Sequence, residues 1–257
     1  MELNIVIANP AGNITAFVLN KIEEKDYQTI AQKIMALPKF KIEQVGFVTN
    51  LIFEPYEMKM MGQEFCGNAT RCFGYLAYKY NDLKKEDIEV SVSGSKKILT
   101  VHIDNNPARS TVEVDCPKKI VNIEYKNKAY PLVIMDGISH LIIEDEEVNT
   151  LEISALFGIL DEEYPNDAYG ILYRDGVNID PHVCVKATNS LVNESSCGSG
   201  AIAVGYYLHH NDKDGFYRDN FTFKGGVIET VVILNKGACK CFMGGIISIS
   251  DEIIITV

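Results

Sequence analysis

The sequence lacks the features that mark membrane, secreted and nucleic-acid-binding proteins. It has no apolar run long enough to span a bilayer, and its start, Met-Glu-Leu-Asn, has no basic segment followed by an apolar core. Lys and Arg number 24 against 35 Asp and Glu, which gives a net charge of −11 without a basic stripe and disfavours binding to phosphate backbones. Hydrophobic residues make up 47% of the chain, as is ordinary for a globular domain. We therefore expect a cytoplasmic protein that binds neither nucleic acid nor a membrane.

The usual signatures of cofactor and metal sites are also missing. No Gly-rich phosphate loop of the P-loop or dinucleotide type is present. An odd number of cysteines argues against a disulfide framework in a reducing compartment; they lie at positions 66, 72, 116, 184, 197, 239 and 241. None forms a Cys-x-x-Cys pair, and we expect Cys239 and Cys241 to leave opposite faces of a strand. The sequence thus predicts no cofactor and no metal site, and it leaves all cysteines except Cys66 and Cys197 as packing residues.

Short β-rich runs bounded by Gly, Asn and Asp dominate the chain, and only four stretches have the pattern of a helix. Apolar residues recur with helical spacing over 25–37, just before Pro38, and more weakly over 150–160; two further helices follow Cys66 and Cys197. Many strands with few helices predict an α+β fold. The predicted strands are 3–8, 15–19, 45–48, 88–93, 98–103, 111–114, 132–135, 140–143, 170–173, 182–186, 220–223, 229–234 and 246–257.

The most informative pattern is an internal repeat with an offset of 131 residues, the distance from Cys66 to Cys197. The segments 66–75 and 197–206 share Cys, Gly, Gly and Tyr at the same four places, and at the same offset Val92-Ser93-Gly94 falls on Phe223-Lys224-Gly225. Two matches at one spacing favour two structurally similar halves. We divide the chain into 1–118 and 119–257, with the boundary in the polar, Lys-rich stretch 115–130 and the C-terminal strand a candidate to return to the first half.

Both cysteines of the repeat stand at the start of a predicted helix. Unpaired N–H groups and the helix dipole at such a position stabilise a thiolate and bind a carboxylate. If the two halves present Cys66 and Cys197 to opposite faces of one Cα, a thiolate removes the proton from one face while a thiol delivers one to the other, which inverts the centre. The alternative is a pair of buried structural cysteines. Their equivalent positions in the repeat favour catalysis.

Motifs along nearly the whole chain resemble, in the same order, those of the diaminopimelate epimerase-like superfamily. They are Asn-Pro-Ala-Gly-Asn at 9–13, Glu-Gln-Val-Gly-Phe at 43–47, Glu-Phe-Cys-Gly-Asn-Ala-Thr at 64–70, Val-Ser-Gly at 92–94, Glu-Ser-Ser-Cys-Gly-Ser-Gly at 194–200 and Phe-Thr-Phe-Lys-Gly-Gly at 221–226. The resemblance implies two pseudo-symmetric lobes, each a mixed or antiparallel, barrel-like sheet around a central helix, with the active site in the cleft between them. It also implies a cofactor-independent racemase or epimerase that acts on a free amino acid, and it is compatible with a homodimer. Isomerases of the phenazine-biosynthesis type share the fold but carry an acid where this chain has Cys66.

Within the superfamily, the motif set looks closest to the histidine racemases of opine-metallophore pathways, which implies L-histidine and D-histidine as substrates. Diaminopimelate epimerases hold the distal head of their substrate with a Gly-Asn-Pro-His motif and a Glu-Arg pair; the matching segments here read Gly-Ile-Ser-His at 137–140 and Ala-Thr-Asn-Ser at 187–190. Without those anchors, a charged distal end would be desolvated without partners. Arg71 and Cys72 follow the first motif as they do in diaminopimelate epimerase, which keeps an epimerase of diaminopimelate or lanthionine as an alternative. A non-catalytic small-molecule-binding protein of this fold is an alternative of another class.

The resemblance also implies roles for residues around the two cysteines. Asn13, Gln44 and Asn178 match substrate-contacting positions, and His140 stands where the family places a histidine that accepts a proton from the Cys66 thiol. The structural alternatives are turn or strand-end roles for the three amides and a hydrogen-bonded core histidine.

Two acidic residues and the helix starts complete the predicted site. Glu43 is a candidate to bind the ammonium or the imidazole of the substrate, with a solvated surface residue as the alternative. Glu194, three residues before Cys197, either takes a proton from that thiol or caps the helix. The groups expected to bind the α-carboxylate at the two helix starts are Gly67, Asn68, Gly198 and Ser199.

Overall fold

The structure is a computed structural model that describes residues 1–144, 149–186 and 190–257. Its helices are α1 (Tyr27–Met35), α2 (Gly67–Tyr80), α3 (Thr150–Glu163) and α4 (Gly198–His209). Its strands are β1 (Glu2–Asn9), β2 (Thr15–Val18), β3 (Gln44–Asn50), β4 (Tyr56–Met60), β5 (Asp87–Val92), β6 (Leu99–Asn105), β7 (Ala108–Val114), β8 (Lys119–Tyr125), β9 (Lys128–Ile134), β10 (Ile138–Glu144), β11 (Ala168–Asp175), β12 (Asn178–Val185), β13 (Ser190–Asn193), β14 (Gly215–Phe223), β15 (Gly226–Asn235), β16 (Ala238–Ile246), β17 (Ser248–Ile249) and β18 (Ile253–Thr256). No helix in the described ranges is long and apolar enough to cross a membrane.

The chain divides into two compact units. The first unit comprises Met1–Glu113 and Gly244–Val257, and the second comprises Val114–Met243. The chain thus passes from the first unit to the second between Glu113 and Val114. The predicted domain boundary at 118/119 stays a prediction.

The first unit carries a mixed sheet in which the predicted site residues Asn13, Glu43 and Gln44 lie at the edge where two parallel strands begin. Strand β1 runs antiparallel to β2 and β18, β2 runs parallel to β3, and β4 runs parallel to β5 with α2 between them. Because parallel strands begin at the same edge of a sheet, the residues just before β2 and at the start of β3 lie side by side. The core beneath includes Leu3, Ile5 and Phe47, all buried, and Tyr27 of α1 stacks on Phe47 with ring centroids 3.9 Å apart.

The second unit is built from hairpins joined by two parallel pairs. Strands β8 and β9, β11 and β12, and β14 and β15 form antiparallel hairpins. Strand β10 runs parallel to β11 with α3 between them, and β12 meets β14 in parallel at Asn178 and Thr222. The core contains Leu132, Leu141 and Ile171, all fully buried. Helix α4 packs on β15 and β10.

The four predicted helices are confirmed, while the predicted strands are incomplete. Helix α1 lies within 25–37, α3 starts at 150 as predicted, and α2 and α4 start directly after Cys66 and Cys197. Strands β4, β8, β13 and β16 were not predicted, and the stretch 246–257 is not one strand but holds the separate strands β17 and β18, which both pair with β1. A mixture of many strands with few helices is nevertheless what the sequence predicts.

The residues shared by the repeat have equivalent surroundings in the two units. A β-carbon on Gly74 of α2 would lie 2.5 Å from Val101 Cβ on β6, and one on Gly205 of α4 would lie 2.9 Å from Thr230 Oγ1 on β15. Both separations are shorter than real Cβ contacts, so each glycine allows its helix to pack against the strand beside it.

The second matching point of the repeat supports the segment that leads into each cysteine. In the first unit, Ser93 Oγ donates to the carbonyl of Glu64 at 2.9 Å. Gly94 (φ +73°) packs against the backbone of Phe65, the residue that follows Glu64. In the second unit, the N–H of Gly225 donates to the carbonyl of Ser195 at 2.8 Å. Glu64 and Ser195 occupy equivalent places in the repeat, so the same loop fixes the approach to each helix.

Candidate active site

Cys66 caps the N-terminus of α2. Its extended backbone (φ −128°, ψ 110°) turns the side chain back over the first helical turn, where Sγ accepts a hydrogen bond from the N–H of Ala69 at 3.4 Å. The Cys66 carbonyl accepts from the N–H of Thr70 at 2.9 Å and from its hydroxyl at 2.7 Å. The position predicted for this cysteine is therefore confirmed, and the thiol is held by the helix that it starts.

The predicted neighbours Gln44, Asn13 and Glu43 lie in the same unit, at the edge where β2 and β3 begin. The Cys66 thiol donates to Gln44 Oε1 at 2.9 Å, and Asn13 Nδ2 donates to Glu43 Oε2 at 3.2 Å. Asn13 is buried, whereas Glu43, Gln44 and Cys66 are half-buried. An amide oxygen accepts a hydrogen bond but does not take the proton, so Gln44 orients the Cys66 thiol without removing its proton.

Asn68 in the first turn of α2 is held by an arginine to which the sequence assigned no structural role. Arg71 is fully buried; its Nε donates to Asn68 Oδ1 at 3.2 Å and its Nη1 donates to the carbonyl of Gly245 at 3.0 Å. The i, i+3 spacing of the two residues on a helix is the signal that predicts this contact. Arg71 thus positions the helix start, and Gly67 is the first residue of α2.

Cys197 has the same local geometry in the second unit. It caps α4 with φ −125° and ψ 110°, and it is buried. Burial raises the pKa of this thiol well above its usual value, and the neighbouring Glu194 carboxylate raises the pKa further; the Ser199 hydroxyl and the N–H of Gly200 act in the opposite direction. The two raising effects act because water is excluded and a second negative charge lies beside the sulfur.

A line of contacts runs from Cys197 into the core of the second unit. Cys197 Sγ lies 3.5 Å from Ser199 Oγ, which lies 2.9 Å from His140 Nε2. His140 is fully buried on β10, and burial lowers its pKa to about 3, so its imidazole is neutral. Within this unit its polar partner is Ser199, and the predicted proton transfer from Cys66 to His140 stays a prediction.

Gly170 makes room for this imidazole and was missed from the sequence. It lies directly opposite His140 in the parallel pair of β10 and β11, and a β-carbon there would lie 2.2 Å from His140 Nδ1. A glycine inside a strand often marks such a close approach, but the sequence does not say which side chain approaches.

The remaining predicted residues of the second unit differ in their surroundings. The Glu194 carboxylate hydrogen-bonds the Cys197 thiol, whereas Gly198 is the first residue of α4. Asn178 is exposed beside the tight turn from β11 to β12, and no side-chain hydrogen bond to it occurs in the described part of the chain. Residues 187–189, where diaminopimelate epimerases have their Glu-Arg pair, lie outside the described residues.

The predicted geometry of Cys239 and Cys241 is wrong. Residues i and i+2 of a strand point to the same face, and on β16 the two sulfurs lie 3.7 Å apart. Cys116 joins them, and the three sulfurs lie within 4.8 Å of one another. This thiol cluster is a separate feature of the second unit.

Comparisons with known sequences agree on the family of this chain, and comparisons with solved structures show its fold. Residues 2–252 match the family described as the histidine racemase CntK N-terminal domain. A histidine racemase from Fusobacterium nucleatum subsp. nucleatum is 34% identical over 221 residues, which cover 80% of each chain. The crystal structure of a Bacillus anthracis phenazine biosynthesis protein of the PhzF family aligns over 100% of both chains with a TM-score of 0.72 at 14% identity. That of a probable proline racemase from Agrobacterium radiobacter K84 aligns over 97% of this chain and 92% of that chain, with a TM-score of 0.63 at 11% identity. The two structures establish the fold alone, a mixed α/β fold with few helices.

Proposed function

Because this chain belongs to the histidine racemase CntK N-terminal domain family, we propose that it is an amino-acid racemase that interconverts L-histidine and D-histidine. The observation that carries the proposal is the pair of cysteines at matched helix N-caps, Cys66 and Cys197, in a chain 34% identical to a histidine racemase over 80% of both lengths. We take the two units as the two lobes of the superfamily, with one thiol acting on each face of the substrate Cα.

In the proposed reaction, the two sulfurs carry out both proton transfers at Cα. One cysteine, as a thiolate, takes the proton from Cα, and its S–H bond forms as the Cα–H bond breaks. The other cysteine, as a thiol, delivers its proton to the opposite face of the carbanion and becomes the thiolate. The enzyme is left with the protonation states reversed, ready for the opposite enantiomer or for a proton exchange that resets it. By resemblance to the superfamily, Cys197 deprotonates the L-enantiomer and Cys66 the D-enantiomer.

The surroundings of the two thiols support this division of labour. Glu194 hydrogen-bonds the Cys197 thiol, so a carboxylate is in place to receive its proton when substrate binds. The Cys66 thiol donates to the neutral amide of Gln44, which keeps the proton on sulfur until it is delivered. Proton transfer to a positioned acceptor contributes on the order of 10²- to 10⁴-fold in rate.

The helix starts supply the binding groups for the substrate carboxylate. The first N–H groups of a helix have no intrahelical acceptor, and in the first turns of α2 and α4 these belong to Gly67, Asn68, Gly198 and Ser199. Donors of this kind also stabilise the negative charge that grows on the carboxylate as the Cα proton leaves. Glu43, bonded to Asn13, is our candidate partner for the imidazole, and the exposed Asn178 is a further candidate contact.

The test is Cα–H exchange in D₂O. Purified, chelator-treated protein is incubated with L-histidine, and loss of the Cα proton is followed by NMR while chiral chromatography follows D-histidine. We expect both, and we expect Cys66→Ala and Cys197→Ala each to abolish racemisation, whereas Cys184→Ala leaves it intact. If the protein exchanges the Cα proton of none of the amino acids tested, the proposed racemase activity is refuted.

A parallel comparison decides the substrate. Rates for L-histidine, meso-diaminopimelate and lanthionine are measured side by side with the same preparation. We expect the highest kcat/KM for histidine. A kcat/KM for either bis-amino acid well above that for histidine would overturn the assignment of histidine as the substrate, while leaving the proposed thiol chemistry in place.

A further inference from the structure

A second group of thiols lies in the second unit, apart from Cys197. Cys239 and Cys241 point from one face of β16, and Cys116, in the segment between β7 and β8, hydrogen-bonds both of them. The sulfurs lie within 4.8 Å of one another, with 3.7 Å between those of Cys239 and Cys241. Two of the residues are half-buried and Cys241 is buried.

The spacing of the Cys239 and Cys241 sulfurs matches that in the coordination sphere of a soft metal ion, and the Cys116 sulfur lies within 4.8 Å of both. With Zn–S bonds of about 2.3 Å, neighbouring sulfurs of a tetrahedral site lie about 3.8 Å apart, close to the 3.7 Å between Cys239 and Cys241. Thiolates select Zn(II) and Cu(I) over the hard ions that prefer oxygen. Among the described residues the cluster thus offers three sulfur ligands, and an exogenous ligand would take the fourth position of a tetrahedral site.

The same spacing suits a disulfide less well. Successive residues of a strand rise about 3.3 Å, which puts the Cα atoms of Cys239 and Cys241 roughly 6.6 Å apart, at the upper limit for a disulfide. Their side chains also leave the strand side by side instead of converging. Among the described residues no disulfide joins any of the cysteines.

The position of the cluster gives such an ion a structural consequence. The chain enters the second unit at Val114 and leaves it at Met243, and Cys116 and Cys241 each lie two residues inside those points. Tyr206 of α4 lies near all three sulfurs. An ion bound here would join both ends of the unit beside the helix that Cys197 starts.

We propose that Cys116, Cys239 and Cys241 form a binding site for a thiophilic metal ion, Zn(II) or Cu(I), that stabilises the second unit. The site is independent of the racemase reaction, which uses other thiols. Removing one ligand should cost more than the roughly 10- to 100-fold in affinity that the loss of an outer-sphere partner costs.

The experiment uses a parent protein carrying Cys66→Ala and Cys197→Ala, so that the proposed catalytic thiols contribute no binding. Zn(II) and, without oxygen, Cu(I) are titrated in competition with a chromophoric chelator, and Co(II) is added as a spectroscopic probe of thiolate ligation. Each of Cys116→Ser, Cys239→Ser and Cys241→Ser is compared with Cys184→Ser, a cysteine outside the cluster. Circular dichroism and thermal melting establish that each variant is folded.

We expect one equivalent of Zn(II) or Cu(I), sulfur-to-cobalt charge-transfer absorption, and a rise in Tm with metal, all retained in Cys184→Ser. The metal binding, the charge-transfer absorption and the rise in Tm should all be lost in Cys239→Ser. Because Cys239 is half-buried and the buried Cys241 stays intact, this variant is the one expected to fold normally. The proposal is overturned if folded parent protein binds neither ion, or if the three serine variants bind as well as the parent. Recovery of a disulfide within the cluster from protein that binds no metal after reduction would equally overturn it.

Discussion

Replacing Ser199 with alanine tests whether the contacts from Cys197 to His140 support proton transfer. The substitution removes an oxygen 3.5 Å from Cys197 Sγ and 2.9 Å from His140 Nε2. It leaves the fully buried imidazole without its partner, since His140 Nδ1 already has none in the described structure. The hydroxyl also favours the Cys197 thiolate, so its loss should disfavour the form of this cysteine that removes the proton from Cα.

The loss of this hydroxyl should lower both the stability of the protein and the rate of proton transfer. Leaving a buried polar group unsatisfied costs about 1–3 kcal/mol, which for a protein of this size lowers Tm by roughly 2–12 °C. If the same interaction is lost from the transition state, the rate of proton removal by Cys197 falls roughly 5- to 150-fold. Ser199→Thr retains the hydroxyl and should recover most of both losses.

The assay must measure each enantiomer separately. L- and D-histidine have equal free energies, so kcat/KM for racemisation is the same in both directions whichever thiol is impaired. Deuterium uptake into the unreacted substrate, and the isotope effect on each direction, report the individual proton transfers. Under the proposed assignment, Ser199→Ala slows proton removal from L-histidine more than from D-histidine.

Ser196→Ala is the matched control. Ser196 is buried one residue before Cys197, and its hydroxyl has no hydrogen-bond partner among the described residues, so its removal should leave both Tm and exchange rates nearly unchanged. The reasoning fails if Ser199→Ala behaves like Ser196→Ala, or if Ser199→Ala affects both enantiomers equally in the exchange assay.

Three further predictions concern the surroundings of the two thiols. Gly170→Ala, which puts a methyl group 2.2 Å from His140 Nδ1, should destabilise the fold by about 1–3 kcal/mol in urea unfolding. Gly158→Ala, on the open face of α3, should instead be neutral or stabilise by up to about 1 kcal/mol; equal effects would contradict the packing argument. Gln44→Leu removes the acceptor of the Cys66 thiol and should lower kcat roughly 10- to 100-fold with little change in Tm; an unchanged kcat would show that the amide is dispensable. Since burial lowers the pKa of His140 to about 3, the unfolded chain binds the extra proton below the ordinary value of 6.5, and the corresponding stability is present above pH 6.5 and lost as the pH falls toward 3. His140→Gln should flatten that part of the curve of unfolding free energy against pH, and an unchanged slope would refute the assignment.

The helix starts could be predicted because their signals are local. A Cys-Gly pair followed by apolar residues at helical spacing is enough to start α2 and α4, and the repeat doubles the evidence. The contact between Ser199 and His140 joins residues 59 apart in the chain, and it depends on how β10 meets α4. No local pattern carries that information.

Strand β8 was missed for a reason that lies in its turn. The hairpin from β8 to β9 closes through Lys126 and Asn127, whose φ angles are +49° and +61°. Two positive φ values define the type I′ turn, for which Asn-Gly and Asp-Gly are the usual pairs. Lys-Asn carries no such signal, so a Lys-rich stretch next to Pro117 resembles a linker although it forms a hairpin.

The two halves of the candidate site combine a shared backbone geometry with different surroundings. The N-cap dihedral angles of Cys66 and Cys197 agree within 3° in φ and are equal in ψ, so each thiol is carried in the same way on its helix. Their partners are not equivalent, because Gln44 is a neutral acceptor for one thiol and Glu194 a charged acceptor for the other. In a racemase of the proposed kind, one sulfur removes a proton while the other delivers one, and the roles are exchanged for the opposite enantiomer. The repeat thus places the two sulfurs alike, while their neighbours give each thiol a different hydrogen-bond acceptor.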